Sequence, residues 1–229
     1  MSDRHQLDQI IVERPLSQAE LGRLGDEIAA SARPTVVVFI DLTDSTLMKY
    51  DQPVGEWIGF VYEFIKRCDF LARQLGGTVV KHIGDEAMIT FSDVHDSEAF
   101  LLCMLSDETL RRYRYKAAVD YGDAFYLHSH HADTMPACYC PWPAPQDPYG
   151  KVVDRCARIA ALAPSGSILC SEDYRAVLPS AVDVALAGVR TLKGIPEPCN
   201  IFYRHVPAFS ADVCLMHPHE AHPGFASGS

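Results

Sequence analysis

No stretch of the chain approaches the ~18–20 consecutive apolar residues of a membrane-spanning helix, so no span is expected. Residues 1–14 are polar and mixed in charge, and lack the apolar segment of a secretory signal. Positive charge is scarce: 20 Lys and Arg stand against 30 Asp and Glu, a net charge of -10. Such a surface repels a polyanion, which argues against sequence-independent binding of DNA or RNA. A single nucleotide remains a possible ligand wherever a few cations converge. The eight cysteines follow no framework spacing. Several lie among apolar residues, as Cys103 does within 101–105 and Cys170 after Ile168-Leu169. That pattern reads as free thiols in a reducing, cytoplasmic setting. No internal repeat is visible.

What is present is an ordinary globular composition, 48% apolar and 22% charged over 229 residues. A domain of this length can bury a sizeable core. Residues 1–33 read as an N-terminal helical arm, with Leu16, Leu21, Leu24 and Ile28 at helical spacing. Residues 34–205 read as one domain, and 206–229, dominated by Pro, His, Gly and Ser, as a disordered tail.

Within the domain, the β-branched and aromatic run 35–40 predicts a fully buried strand. An amphipathic helix is expected over 54–75, stopped by Gly76-Gly77. Strands over 78–81 and 87–91 flank an acidic hairpin tip, Ile83-Gly84-Asp85-Glu86. A second helix is expected over 97–111. A second hairpin is expected from 115–121 and 124–127, turned at Gly122-Asp123. After an irregular segment over 128–148 come a helix over 149–162, a short strand over 167–170 and a short helix over 172–178. Two closing strands follow, over 182–192 and 199–205. The order predicts an α/β (α+β) sandwich with a ferredoxin-like βαββαβ core, helices on one face of a mostly antiparallel sheet, and additional C-terminal strands.

Two acidic positions carry the chemistry. Asp41, in Phe39-Ile40-Asp41-Leu42-Thr43-Asp44-Ser45-Thr46, ends a buried strand, and the turn after it offers amides to a phosphate. Asp85, in Lys81-His82-Ile83-Gly84-Asp85, sits at a hairpin tip. Carboxylates on adjacent central strands can share a pair of Mg²⁺ ions, which favour one or two carboxylates plus substrate phosphates over a full protein cage. Two such ions can activate an attacking oxygen and stabilise a leaving one. Either Asp alone reads more readily as a turn or cap residue.

Together with further segments they resemble class III adenylate and guanylate cyclases. The match runs from 35 to 204 through 36–46, 76–91, 115–122, 147–171 and 192–203, in that family's order. The resemblance implies a head-to-tail homodimer with an active site at each end of the interface. It places two Mg²⁺ or Mn²⁺ ions on Asp41, Asp85 and the backbone of Leu42. It puts Lys81 and Asp147 (in Asp-Pro-Tyr-Gly) at the base-selecting positions and Asp154 at the ribose-orienting one. Arg158 falls at the transition-state arginine, and Lys193 (in Leu-Lys-Gly) at the triphosphate-binding lysine. One chain would supply the carboxylates, the other the remaining contacts. The family has Asn where this chain has Asp154; an ionised Asp can only accept hydrogen bonds, so here it would take one from a ribose hydroxyl or pair with Arg155 or Arg158. Taken singly, Arg158 also reads as a helix-surface residue and Lys193 as a solvated turn residue.

Lys81 with Asp147 resembles the adenylate cyclase pair and points to ATP. Chemically, a donor beside an acceptor also suits cytosine or uracil. Tyr50, just past the metal loop, could shorten the base pocket, though it equally reads as helix-start packing. A short stand-alone chain with Asp-Leu-Thr-Asp-Ser-Thr looks most like the Pycsar pyrimidine cyclases of bacterial antiphage defence. That likeness implies UTP as substrate, cUMP as product and a separate effector protein; ATP is the alternative. His128, His130, His131, Cys138 and Cys140 are zinc-ligand types, but Cys-x-Cys is not the usual spacing and a surface insertion is the plainer reading. A diguanylate cyclase is disfavoured because the hairpin tip lacks Gly-Gly-Asp/Glu-Glu-Phe. A non-catalytic cyclase-like domain is disfavoured because both Asp residues and Arg158 are kept.

Overall fold

The computed structural model describes residues 14–110, 112–126 and 147–204. The His and Cys cluster of 128–140, the first residues of the arm and the tail from 206 lie outside them.

The first described element is α1 (Gln18–Ala29), opened by a capping box in which Ser17 and Glu20 satisfy each other's backbone amides. Next come β1 (Arg33–Leu42), α2 (Ser45–Asp51) and α3 (Val54–Gln74). The hairpin β2 (Thr78–Ile83) and β3 (Glu86–Phe91) leads to α4 (Val94–Ser106) and β4 (Tyr115–Tyr126). The chain continues through β5 (Pro148–Tyr149), α5 (Lys151–Leu162), β6 (Ile168–Ser171), α6 (Glu172–Val177), β7 (Val184–Arg190) and β8 (Cys199–Arg204). None of the described helices is long and apolar enough to cross a membrane.

The eight-stranded sheet has the order β2-β3-β1-β4-β6-β8-β7, with β5 appended to β4. Its first four positions are the ferredoxin-like core expected from the sequence. All pairs are antiparallel except β4 with β6. At the β7 edge the register with β8 shifts between Leu186 and Gly188, where Gly188 takes φ +137°.

Two expectations need correcting. Residues 115–126 form one continuous strand rather than a hairpin, because β1 is long enough to pair with all of it: Thr35 faces Gly122 and Pro34 faces Asp123. The Gly-Asp turn signal yields to this tertiary pairing. The helices also occupy both faces of the sheet. Alternate residues of a strand point to opposite faces. Val36, Val38 and Ile40 of β1 pack with Phe64, Cys68 and Leu71 of α3 and with Phe100, Leu101 and Met104 of α4. Val37 and Phe39 pack instead with Val152, Cys156 and Ile159 of α5. A strand buried on both faces reads as the continuous apolar run seen at 35–40.

Local geometry places the acidic tip. Gly76 (φ +75°) ends α3, and a Cβ at Gly77 would meet the Phe91 ring at 2.6 Å. Only glycine lets the chain turn so tightly into β2. Ile83 faces Glu86 across a two-residue loop, with Gly84 at φ +69° in the first loop position, where glycine is favoured.

Candidate active site

Asp41 is the penultimate residue of β1 and lies on the face covered by α5, with Val37 and Phe39. Its register partner on β4 is Lys116, whose Nζ lies 3.4 Å from Asp41 Oδ2. Asp85 projects from the hairpin loop, its side chain 11% exposed, and accepts a hydrogen bond from Lys49 Nζ at 2.9 Å. The Ser45 hydroxyl also bonds to it. Ser45 and Lys49 are four residues apart on α2, hence on one helix face. Asp44 aims that face: it adopts a left-handed φ of +62° between β1 and α2. For a non-glycine residue this costs about 1–2 kcal/mol.

The two carboxyls are close enough to share a hydrogen bond. Burial, then the charge of Asp85, push the Asp41 carboxyl above the usual range, with Lys116 pulling the other way. Burial also works to raise Asp85, but Ser45 and Lys49 outweigh it and hold Asp85 below the usual range. Burial, then Asp41, raise the neighbouring Glu86. A pair of like charges, Asp85 buried and Asp41 partly so, each with an ammonium beside it, is a place where cations are needed. The donor set fits a divalent ion: one carboxylate from β1 and one from the β2–β3 loop, a set that substrate oxygens would complete. Among the described residues no group of three or more His, Cys, Asp or Glu converges into a full protein cage. The Leu42 side chain is 2% exposed within the opposite-face core, so any ligand role falls to its main chain.

Lys81 and Asp147 are brought together within one chain, with Nζ 2.9 and 2.8 Å from the two carboxylate oxygens. The pairing expected for base selection therefore exists as geometry. Asp154 and Arg158 are exposed one turn apart on α5, whose other side is buried through Val152, Cys156, Ile159 and Ala160. Lys193 is exposed in the turn between β7 and β8, beside Gly194 at φ +81°. Leu192 anchors that turn in the same core as α5. Among the described residues no hydrogen bond or ion pair joins Asp154, Arg158 or Lys193 to Asp41 or Asp85. Tyr50 is 85% exposed, so its ring packs little against the described residues.

This arrangement can be set beside known proteins. The adenylyl cyclase CyaB from P. aeruginosa superposes with TM-score 0.65 at 16% identity, covering 76% of this chain and 94% of that one. The chain has the fold of a class III cyclase catalytic domain. A monomeric adenylate cyclase domain from Trypanosoma brucei gives TM-score 0.64 at 18% identity, over 76% of this chain and 89% of that one. The guanylate cyclase domain of RhGC from Catenaria anguillulae, solved with GTP, gives 0.61 at 15%, over 76% and 97%. No protein-family model matches the sequence. No curated protein matches it either.

Sequence reasoning missed Ser45, Lys49 and Lys116. The four-residue spacing of Ser45 and Lys49 was readable, but only once a helix was placed at 45–51. Lys116 could be found only from the β1–β4 register.

Proposed function

We propose that this protein is a homodimeric nucleotide cyclase, converting a nucleoside triphosphate to a 3′,5′-cyclic monophosphate and pyrophosphate, with UTP the favoured substrate. The observation that carries this reading is the close Asp41–Asp85 carboxylate pair, each with an ammonium beside it, at one end of the sheet in a class III cyclase fold. The exposed Asp154 and Arg158 of α5, without an ion pair among the described residues, complement it. In a head-to-tail pair, each chain offers its carboxylates to the exposed helix of the other.

In the reaction the ribose 3′-hydroxyl loses its proton, its oxygen forms a bond to the α-phosphorus, and the bond to pyrophosphate breaks. Asp41, Asp85 and the Leu42 main chain would hold two Mg²⁺ or Mn²⁺ ions, which when bound would neutralise charge and lower the hydroxyl pKa. Lys49 and Lys116 hold the carboxylates in place and balance their charge before substrate arrives. Arg158 gives forked, charge-assisted hydrogen bonds to oxygens that gain charge as the bonds change. Lys193 is a positive point for the β- and γ-phosphates. Asp154 accepts a hydrogen bond from a ribose hydroxyl. Lys81 and Asp147 read the base edge as donor and acceptor.

Tyr50 supports the pyrimidine choice. Packed little against the described residues and carried on the helix that touches Asp85, it is free to close the base pocket against a purine. The product would be cUMP, made in the cytoplasm as an antiphage messenger for a separate effector. The second reading, an adenylate cyclase, is favoured by the Lys81–Asp147 pair itself. Incubating the purified protein with each of the four nucleoside triphosphates and Mn²⁺, then weighing the products, separates these. We expect cUMP to dominate. Cyclic AMP as the main product moves the protein to the second reading, and no cyclic product from any nucleotide rejects both.

A further inference from the structure

Arg155 lies between Asp154 and Arg158 in the sequence of α5, yet it points inward. Its side chain is 23% exposed and grips Asp120 of β4, which is 0% exposed. The grip is forked: Nε donates to Oδ2 at 2.6 Å and Nη2 to Oδ1 at 2.8 Å. Nη2 also reaches the Asp173 carboxylate on α6 and, at 3.4 Å, the Tyr121 carbonyl. Asp120 accepts further hydrogen bonds from the Tyr121 amide at 2.7 Å and from the Ser171 hydroxyl. One guanidinium thus ties α5 to the centre of the sheet and to α6.

The rest of the α5 contact has little direction. Val152, Cys156, Ile159 and Ala160 rest on Ala118, Ala124 and Phe39, and a Cβ at Gly122 would stand only 3.4 Å from Val152. Apolar burial is non-directional. It holds the helix against this apolar floor without fixing how far the helix is rolled. Among the described residues the other directional contacts of the helix body are weak ones, Cys156 Sγ donating to the Val37 carbonyl at 3.2 Å and to the Ala118 carbonyl at 3.5 Å. A forked, doubly accepted guanidinium does fix an angle. A buried ion pair adds little net stability over a well-packed apolar pair, so stability alone gives Asp120 and Arg155 no reason to be there.

We infer that Arg155, through Asp120, is a positioning residue that sets the roll of α5 and so aims Asp154 and Arg158 at the partner's substrate. At 3.6 residues per turn, Asp154 and Arg158 lie about 100° and about 60° around the helix from Arg155, both on the same side. A roll of about 20° at a radius of about 6 Å moves both by about 2 Å. Misplacement of about 1 Å can cost on the order of a hundredfold in rate. The inference rests on the cyclase reading for what α5 is aimed at, but not for the clamp itself.

The test is the double variant Asp120→Asn, Arg155→Met, with Arg155→Lys beside it. The double variant removes both charges and keeps an acceptor for the Tyr121 amide and the Ser171 hydroxyl. Nucleotide turnover and hydrogen exchange are measured on each full-length protein. We expect kcat to fall about tenfold or more with KM within about threefold. Faster exchange should be confined to residues 151–162, and Arg155→Lys, with its charge but no fork, should recover part of kcat. Wild-type kcat in the double variant overturns the inference. So does faster exchange that spreads equally to β1 and β3, because the pair is then merely structural. If the wild-type protein makes no cyclic product, the cyclase reading fails and exchange decides alone: unchanged protection of 151–162 overturns the clamp, and loss confined there upholds it.

Discussion

The two halves of the proposed site are built on opposite plans. At the Asp41–Asp85 end both carboxylates of the pair have a partner: Lys116 for Asp41, and Lys49 and Ser45 for Asp85. On α5 and the Lys193 turn the corresponding groups stand exposed and make no hydrogen bond or ion pair among the described residues. The acidic end is compensated in advance, because like charges half out of water cannot wait uncovered. The basic end can wait, because exposed cations are already solvated. On the proposed reading, a chain arranged this way completes its site only when two copies exchange halves.

Substitutions at each end can break that contrast. Asp41→Ala should abolish cyclic product while circular dichroism and thermal melting stay near wild type, since it removes a metal position but no core contact. Mixing it with Arg158→Ala is the sharper form. Each variant alone should be inactive or nearly so, yet half the mixed dimers pair one of each, with one of two sites intact. About a quarter of wild-type activity should therefore return under two-fold symmetry. No recovery in a mixture shown to exchange subunits would mean that the two halves act within one chain.

Arg158→Ala by itself should lower kcat about 10²–10³-fold, the usual loss of one donor to developing charge. Equal losses at kcat and in nucleotide affinity would place the arginine on the ground state instead. Tyr50→Ala should barely change thermal stability, within about 0.5 kcal/mol, because the ring is exposed. The UTP-to-ATP preference should fall about tenfold or more, within the range that pocket shape can supply. An unchanged preference removes Tyr50 from base selection. The smallest effect is expected from Lys49→Met, which frees Asp85 of its counter-ion. Mn²⁺ binding to the nucleotide-free protein, followed by electron paramagnetic resonance, should tighten roughly fivefold, about 1 kcal/mol. Weaker binding would show that Lys49 orders the acidic end more than it competes for it.

What the sequence reveals of this molecule follows the range of the forces involved. Helix α3 was legible because its apolar spacing is local. The β2–β3 tip was legible because Gly84-Asp85 sits between two apolar runs. Helix α2 was not: seven residues including Thr46 and Asp51 carry too little periodicity to stand out. The unbroken β4 was not, because Gly122-Asp123 is a turn signal until Thr35 and Pro34 pair with it across the sheet. The placement of α5 on the second face was implicit in the all-apolar run of β1, which needs cover on both sides. Asp41 and Asp85 could be named from their motifs, but Lys116 depends on a register and Arg155 on the inward turn of a side chain, and neither leaves a trace in spacing.

The shift at Gly188 bears on how such a chain survives at high concentration. Strand β7 ends the sheet with Leu186 and Val189 more than half exposed, 57% and 53%. A straight edge of that kind invites further strands and open-ended growth. The bulge between Leu186 and Gly188 bends the edge and breaks its spacing. Arg190 crowds the same spot, 2.9 Å from where a Cβ on Gly188 would sit. A protein proposed to work by meeting one copy of itself is thus kept, at its far rim, from meeting many.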